Sequence, residues 1–247
     1  MKVKYTVTQV TNGLWMFDEG GIRTFLLCGK TRALLIDTGL GSVDYRAAAA
    51  ELTDLPIELA NTHGHEDHVG GNRAFSRTMM NPLGSAAMHT NSKCPNIEVV
   101  PIGEGDIIDL GGRHVEVIAC PGHTNHDLTF LDVENRLLVG GDVAVTTVIF
   151  IFPGSSDVKL LQHSVRHLKD LGNRYDAILP SHGVCPLDKE ILDELDQTAQ
   201  LMISGTGGTS TDICLPTGEC LRGKLYSVGQ ANMLDVDVSA SDMHAAM

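Results

Sequence analysis

An α/β fold is what this sequence predicts, on two observations. Between residues 24 and 60, apolar runs of strand length alternate with a segment of helical character, in the order strand, strand, helix, strand. The 26 glycines supply the tight turns that short connections between such elements require.

Val3 to Phe17 alternates loosely around the single tryptophan, Trp15, and predicts an opening strand pair. Thr24 to Gly29 and Arg32 to Asp37 flank a Gly-Lys-Thr turn signal and read as a buried hairpin. Ser42 to Leu52 lies behind Gly41 and is rich in alanine, so it is the expected first helix, with Ser42 as its N-cap. Pro56 to Ala60 is a short strand that delivers Asn61 and Thr62 to a histidine cluster, after which Val69-Gly70-Gly71-Asn72 opens a short helix. Residues 79 to 100 carry no decisive pattern. From Val99 to Cys120, and again from Asp127 to Val139 around Glu134-Asn135, short strands alternate with turn signals. Val158 to Leu171 has helical spacing, and Ala177 to Leu179 is a strand ending at Ser181-His182. In Leu187 to Ile203, the clearest helix, Leu187, Ile191, Leu195, Thr198 and Met202 share one face. Residues 205 to 218, rich in Gly and Thr, read as loop. There is no internal repeat and no long charge run, so one domain spanning 1–247 is expected.

Composition narrows the function. Hydrophobic content of 43% with 20% charged residues is ordinary for a globular chain. A net charge of −13 disfavours a nucleic-acid partner, whose phosphates are held by Lys and Arg. Two divalent cations would change it only to −13 + 4 = −9. The longest apolar stretch, Val143 to Phe152, is too short to span a bilayer, so no membrane partner is expected. It could wall an apolar pocket or form a homodimer surface. No apolar run follows Lys2 and Lys4, and no Cys-x-x-Cys pair occurs among the six cysteines. Reduced thiols and a cytoplasmic location are therefore expected.

The chemistry is concentrated in Thr62-His63-Gly64-His65-Glu66-Asp67-His68. Three imidazoles and the Asp67 carboxylate, candidate ligands within six residues, are a poor way to bury apolar surface. His123, Asp142 and His182 follow, each where an apolar run hands over to a loop. His63, His65, Asp67 and His68 point in diverging directions from one tight turn, which suits two ions better than one. Nitrogen and carboxylate donors suit Zn²⁺ best, and Fe or Mn are compatible.

These residues resemble the metallo-β-lactamase-fold hydrolase superfamily, in the dinuclear branch that includes the glyoxalase II-type thioesterases. The motif His-x-His-x-Asp-His is matched in full, the three later ligands come in the family's order, and the resemblance covers Gly13 to His182. It implies a four-layer αββα sandwich with the site at one edge between two sheets. It also implies that His63, His65 and His123 hold one metal and that Asp67, His68 and His182 hold the second, with Asp142 bridging. Asp37, where the family commonly keeps an aspartate, is expected behind the ligands. Three features depart from the family's patterns. Asn125-His126-Asp127 replaces the usual small residues, no long helical segment with a basic cluster follows His182, and position 65 is not the Glu of the flavodiiron branch. His126 either faces the substrate or hydrogen-bonds behind the metals, and Cys120 and Cys185 are expected to be structural thiols.

Two cations sharing a water would present hydroxide to an electrophilic carbonyl or phosphorus, with Asp67 holding the hydroxide's hydrogen as the catalytic carboxylate. The expected function is hydrolysis of a small ester, thioester or lactone. The alternatives are a phosphodiesterase on the same core, a mono-iron persulfide dioxygenase-like oxidoreductase, and a non-catalytic metal binder. The loops Asp18 to Thr24, Asn81 to Pro95 and Thr146 to Ser156, with the tail after Gly205, would set specificity.

Overall fold

Strict alternation in the buried strands decides the layering. The computed structural model describes residues 5–214 and 220–237. Its first sheet runs in sequence order: β1 (Thr6–Thr11), β2 (Leu14–Asp18), β3 (Arg23–Cys28), β4 (Ala33–Ile36), β5 (Ile57–Ala60), β6 (Arg77–Met80) and β7 (Glu98–Pro101). Helix α1 (Tyr45–Ala50) connects β4 to β5, α2 (Glu66–Val69) lies before β6, and α3 (Ser85–Asn91) before β7. Phe25, Leu27, Leu34 and Ile36 point to one face, Leu26, Ala33 and Leu35 to the other. The latter pack on Tyr45, Ala48 and Ala49 of α1.

The second sheet has the order β13-β11-β10-β9-β8, from β8 (Ile107–Asp109), β9 (His114–Ala119), β10 (Leu128–Asp132), β11 (Leu137–Gly141) and β13 (Ala177–Pro180). Val115, Val117, Leu128, Phe130 and Val139 meet the first sheet. Ile118, Leu131, Leu138 and Ile178 meet α4 (Val158–Asp170) and α5 (Ile191–Ser204) on the far side. The layers are therefore α1, sheet, sheet, and α4 with α5, the expected αββα sandwich. Both sheet faces are apolar because both are covered, and each fully buried Leu or Ile contributes about 1.5–3 kcal/mol.

A third, four-stranded sheet was not expected. It has the order β12-β16-β15-β14, from β12 (Val148–Ile151), β14 (Thr209–Cys214), β15 (Cys220–Val228) and β16 (Ala231–Val236). Tyr226, Ala231 and Met233 pack it against α5. It corrects the reading of 205–218 as loop, since residues 209–214 form its edge strand and 215–219 lie outside the described residues. Antiparallel pairing sets Cys214 opposite Cys220, and the two are disulfide-bonded. The expectation of six reduced thiols is thereby corrected, with Cys28, Cys94, Cys120 and Cys185 remaining free.

Other boundaries also move. Helix α1 begins later than Ser42 because the Ser42 hydroxyl is engaged by Glu19, and Asp44 caps the helix by accepting from Ala47 N at 3.0 Å. The short helix after the cluster begins at Glu66 rather than Val69. Leu187 exchanges backbone bonds with Ile178, so α5 starts only at Ile191. No described helix is long and apolar enough to cross a membrane.

Candidate metal centre

Strand ends lead to four of the seven predicted ligands, and a short helix with its N-cap carries the rest. β5 runs into Thr62 and His63, β9 into the turn carrying His123, β11 into Asp142 and β13 into His182. His65 caps α2, which carries Asp67 and His68. Gly122 lets the His123 turn approach α4, because a Cβ there would lie 2.3 Å from Leu161 Cα. Asp127 holds the same turn by accepting from the Thr124 N–H and hydroxyl, both at 2.6 Å.

All seven side chains converge. In a first group, His65 Nδ1 lies 2.9 Å from His63 Nε2 and 3.1 Å from His123 Nε2. In a second, Asp67 lies 3.2 Å from His182 Nε2 and 3.7 Å from His68 Nε2. Asp142 stands between them. Its Oδ1 is 3.4 Å from both His68 Nε2 and His182 Nε2, and its Oδ2 is 3.7 Å from His123 Nε2.

Four of the five clustered imidazoles have a partner for their other ring nitrogen. His68 Nδ1 donates to Asp37 Oδ2 at 2.8 Å, and His182 Nδ1 to the Gly21 carbonyl at 2.9 Å. His123 Nδ1 donates to the Phe150 carbonyl at 3.3 Å. His63 Nδ1 reaches Thr62 Oγ1 at 3.1 Å, and that hydroxyl donates onward to Asp37 Oδ2 at 2.8 Å. Each bond fixes a tautomer whose free nitrogen points to the centre, as metal-binding imidazoles require. Asp37 thus orders one histidine from each group. It does so from a left-handed backbone, φ 66°, that Asp tolerates better than most residues.

Electrostatics separates the groups. Burial, then His68 and His65, hold His63 well below its ordinary value, and burial with His123 lowers His65 to about 3. In the second group burial opposes charge on His182, yet Asp142 and Asp67 raise it to about 10. Burial also opposes charge on His68, but Asp67, Asp142 and Asp37 raise it well above its usual range. His68 Nε2 and Asp142 Oδ1 are buried without a hydrogen-bond partner. Two orphaned polar atoms facing a set of imidazole and carboxylate donors fit divalent cations.

The other residues singled out fall outside the ligand groups. His126 hydrogen-bonds behind them, accepting from Gly64 N at 3.1 Å. The Cys120 thiol is buried beside Thr129 and pushed up to about 12 by burial; Cys185 faces Met16 and is pushed up to about 11 for the same reason. Val143, Ala144 and Val145 are core, while Phe150 and Phe152 stack at 5.9 Å, half-buried. A cleft of about 550 Å³ beside Trp15, Cys28, Lys30 and Arg113 lies at the far end of β3 from the cluster. Its Arg113 is fully engaged by Asp132 and the carbonyls of Gly13 and Cys28, so the cleft offers no free guanidinium. The chain carried no signal for the Gly21 and Phe150 carbonyls.

The profile described as the metallo-beta-lactamase superfamily matches residues 18–182. An atrochrysone carboxyl ACP thioesterase of Aspergillus terreus is 30% identical over 194 residues, covering 74% of this chain and 57% of that protein. A hydroxyacylglutathione hydrolase of Hyphomonas neptunium is 32% identical over 148 residues, covering 58% and 54%. The chain thus spans little more than half the length of these relatives. A metallo-beta-lactamase from Pontibacter korlensis superposes with a TM-score of 0.67 at 19% identity, covering 80% of this chain and 99% of that one, which is a likeness of fold.

Proposed function

The chain belongs to the metallo-beta-lactamase superfamily, and we propose that it is a metal-dependent hydrolase of small acyl thioesters. The observation that carries this is Asp142, whose two carboxylate oxygens face different ligand groups. His63, His65 and His123 would hold one divalent cation, and Asp67, His68 and His182 the other. Asp142 would serve both. Zinc suits these donors best, with iron or manganese compatible.

When bound, such cations supply a water acidified towards neutrality and a Lewis acid for the substrate carbonyl. The chain's own residues do the rest. Asp37 and the Gly21 and Phe150 carbonyls hold the imidazoles in the tautomer that turns a lone pair inward. Asp67, with its side chain 30% exposed, is the most open of the clustered carboxylates, and its oxygens are in position to accept the proton of an attacking water. The thioester class is supported by the thioesterase and hydroxyacylglutathione hydrolase named among the relatives.

The test is metal content of protein purified without added metal, joined to thiol release from acyl thioesters of increasing chain length. Close to two zinc ions per chain, with turnover abolished by chelation and restored by zinc, is the expected result. One iron per chain and no thiol release would overturn it.

A further inference from the structure

We propose that His126 and Asn91 are positioning residues that clamp the two peptides flanking the Gly64 Cα and so set the angle between the His63 and His65 imidazoles. The inference rests on the metal-centre reading above.

Gly64 is the one residue between two ligands of the first group. Its N–H donates to His126 Nε2 at 3.1 Å, and its carbonyl accepts from Asn91 Nδ2 at 2.7 Å. The two partners come from separate places, His126 from the turn between β9 and β10, Asn91 from the last position of α3. The N–H belongs to the His63–Gly64 peptide and the carbonyl to the Gly64–His65 peptide, so each of two successive peptide planes between the two imidazoles is held by a side chain from another element.

The His126 ring is prepared for this task. Its Nδ1 lies 2.8 Å from Asn125 Oδ1, an acceptor, so the proton sits on Nδ1 and the Nε2 lone pair is left for Gly64. The ring rests against Gly84, where a Cβ would fall 2.4 Å from His126 Cδ2. Gly64 is seated as closely, since a Cβ there would meet Ala87 Cβ at 2.9 Å and Met88 N at 3.1 Å. Helix α3 thus lies directly on the ligand turn, and only glycine fits at both contacts.

His65 makes such control necessary. It faces the first group through Nδ1, which lies 2.9 Å from His63 Nε2. Nδ1 sits closer to the backbone than Nε2, so rotation of the peptides on either side of Gly64 displaces it with little side-chain slack to compensate. Helix α2 is tied down elsewhere, with the His68 carbonyl accepting from Thr38 N at 2.8 Å and Asn61 Nδ2 at 3.1 Å. Loss of the clamp should therefore fall on the first ligand group and spare the second.

The experiment is a chelator-competition titration of metal-stripped full-length protein with Zn²⁺, together with amide exchange at Gly64 by NMR in the metal-free state. His126→Leu should weaken the tighter or weaker of the two zinc steps that His123→Ala abolishes, by about 10–100-fold, and leave the other step unchanged. The Gly64 amide should then exchange at least about tenfold faster. His126→Gln keeps an acceptor for the Gly64 N–H and should stay within about threefold of wild type. Asn91→Ala should reproduce the His126→Leu pattern more weakly, and it carries the test if His126→Leu does not fold. The clamp is overturned if His126→Leu and Asn91→Ala bind both ions as wild type does with Gly64 still protected. Equal impairment in His126→Leu and His126→Gln also overturns it, because packing would then be the cause. Wild-type protein that takes up no zinc at all sinks the metal-centre reading instead, an outcome distinct from either.

Discussion

The two ligand groups both approach Asp142, yet they differ in what they hold before a metal arrives. The first is three imidazoles, and burial keeps His63 and His65 from carrying protons at neutral pH. The second mixes Asp67 with His68 and His182, and carboxylates there raise both histidines. Burial would push Asp67 up, but His68 and His182 hold it well below the usual carboxylate range. His63 and His65 thus present lone pairs, whereas His68 and His182 hold protons against the neighbouring carboxylates. A cation entering the second group has to displace protons that a cation entering the first does not.

Breaking the shared member should have the largest effect. Asp142→Asn removes charge from between the groups and should weaken both, by more than the roughly 10–100-fold typical of residues behind a ligand. Zinc stoichiometry after dialysis would read this as a fall from two ions per chain. Retention of both ions would mean that the groups are independent sites.

Asp37→Asn sharpens the comparison at the next level. Asn tolerates the φ of 66° at this position, so the backbone is preserved while the charge behind His68 is lost. The second group should lose about 10–100-fold in zinc affinity, by competition titration. The first group touches Asp37 only through Thr62 and should lose less than about tenfold. An equal loss at both would show that Asp37 acts on the cluster as one unit.

The pH dependence follows from the same asymmetry. With His182 raised to about 10, its proton is bound throughout the neutral range and must leave when a cation enters. Zinc affinity of the second group should therefore climb as pH rises from 7, by about tenfold per unit for each proton displaced, and flatten near pH 10. His63 and His65 carry no proton to lose, so the first group should change less over the same range. Calorimetry in buffers of different ionisation enthalpy would count the protons. No proton release at pH 7 would place the difference between the groups elsewhere.

What could be read from the chain follows the kind of signal each feature leaves. The convergence of the seven side chains was legible because imidazoles and carboxylates at strand ends and in one short turn are chemically conspicuous, and the sandwich because its strands are apolar on both faces. Asp37 was legible by its place after β4. The acceptors behind His182 and His123 were not, since a main-chain carbonyl at Gly21 or Phe150 has no residue type to announce it. Strand β14 was misread because Thr209-Ser210-Thr211-Asp212 is a polar edge whose partners lie later in the chain. The disulfide went with it, since only the β14–β15 pairing brings Cys214 opposite Cys220. Ser42 and Asp44 are both competent caps, and only the contact of Ser42 with Glu19 decides between them.

The smallest expected effect tests how far the first group reaches. Its His123 leans on the Phe150 carbonyl of β12, the edge strand of the third sheet, while the Cys214–Cys220 bond closes the opposite edge. A cross-link over so short a loop should contribute about 2 kcal/mol to that sheet on the chain-entropy account. Cys214→Ser with Cys220→Ser should therefore lower the thermal midpoint measurably. One strand, β16, separates β12 from β15, which carries Cys220, and His123 is also held by Ser156 and by its own turn through Thr124 and Asp127. Zinc affinity of both groups should then stay within about twofold, a change below the scale of a single hydrogen bond. Weakening of the first group alone would mean that the third sheet sets the angle of His123 through Phe150. The difference between the groups would then be mechanical as well as electrostatic.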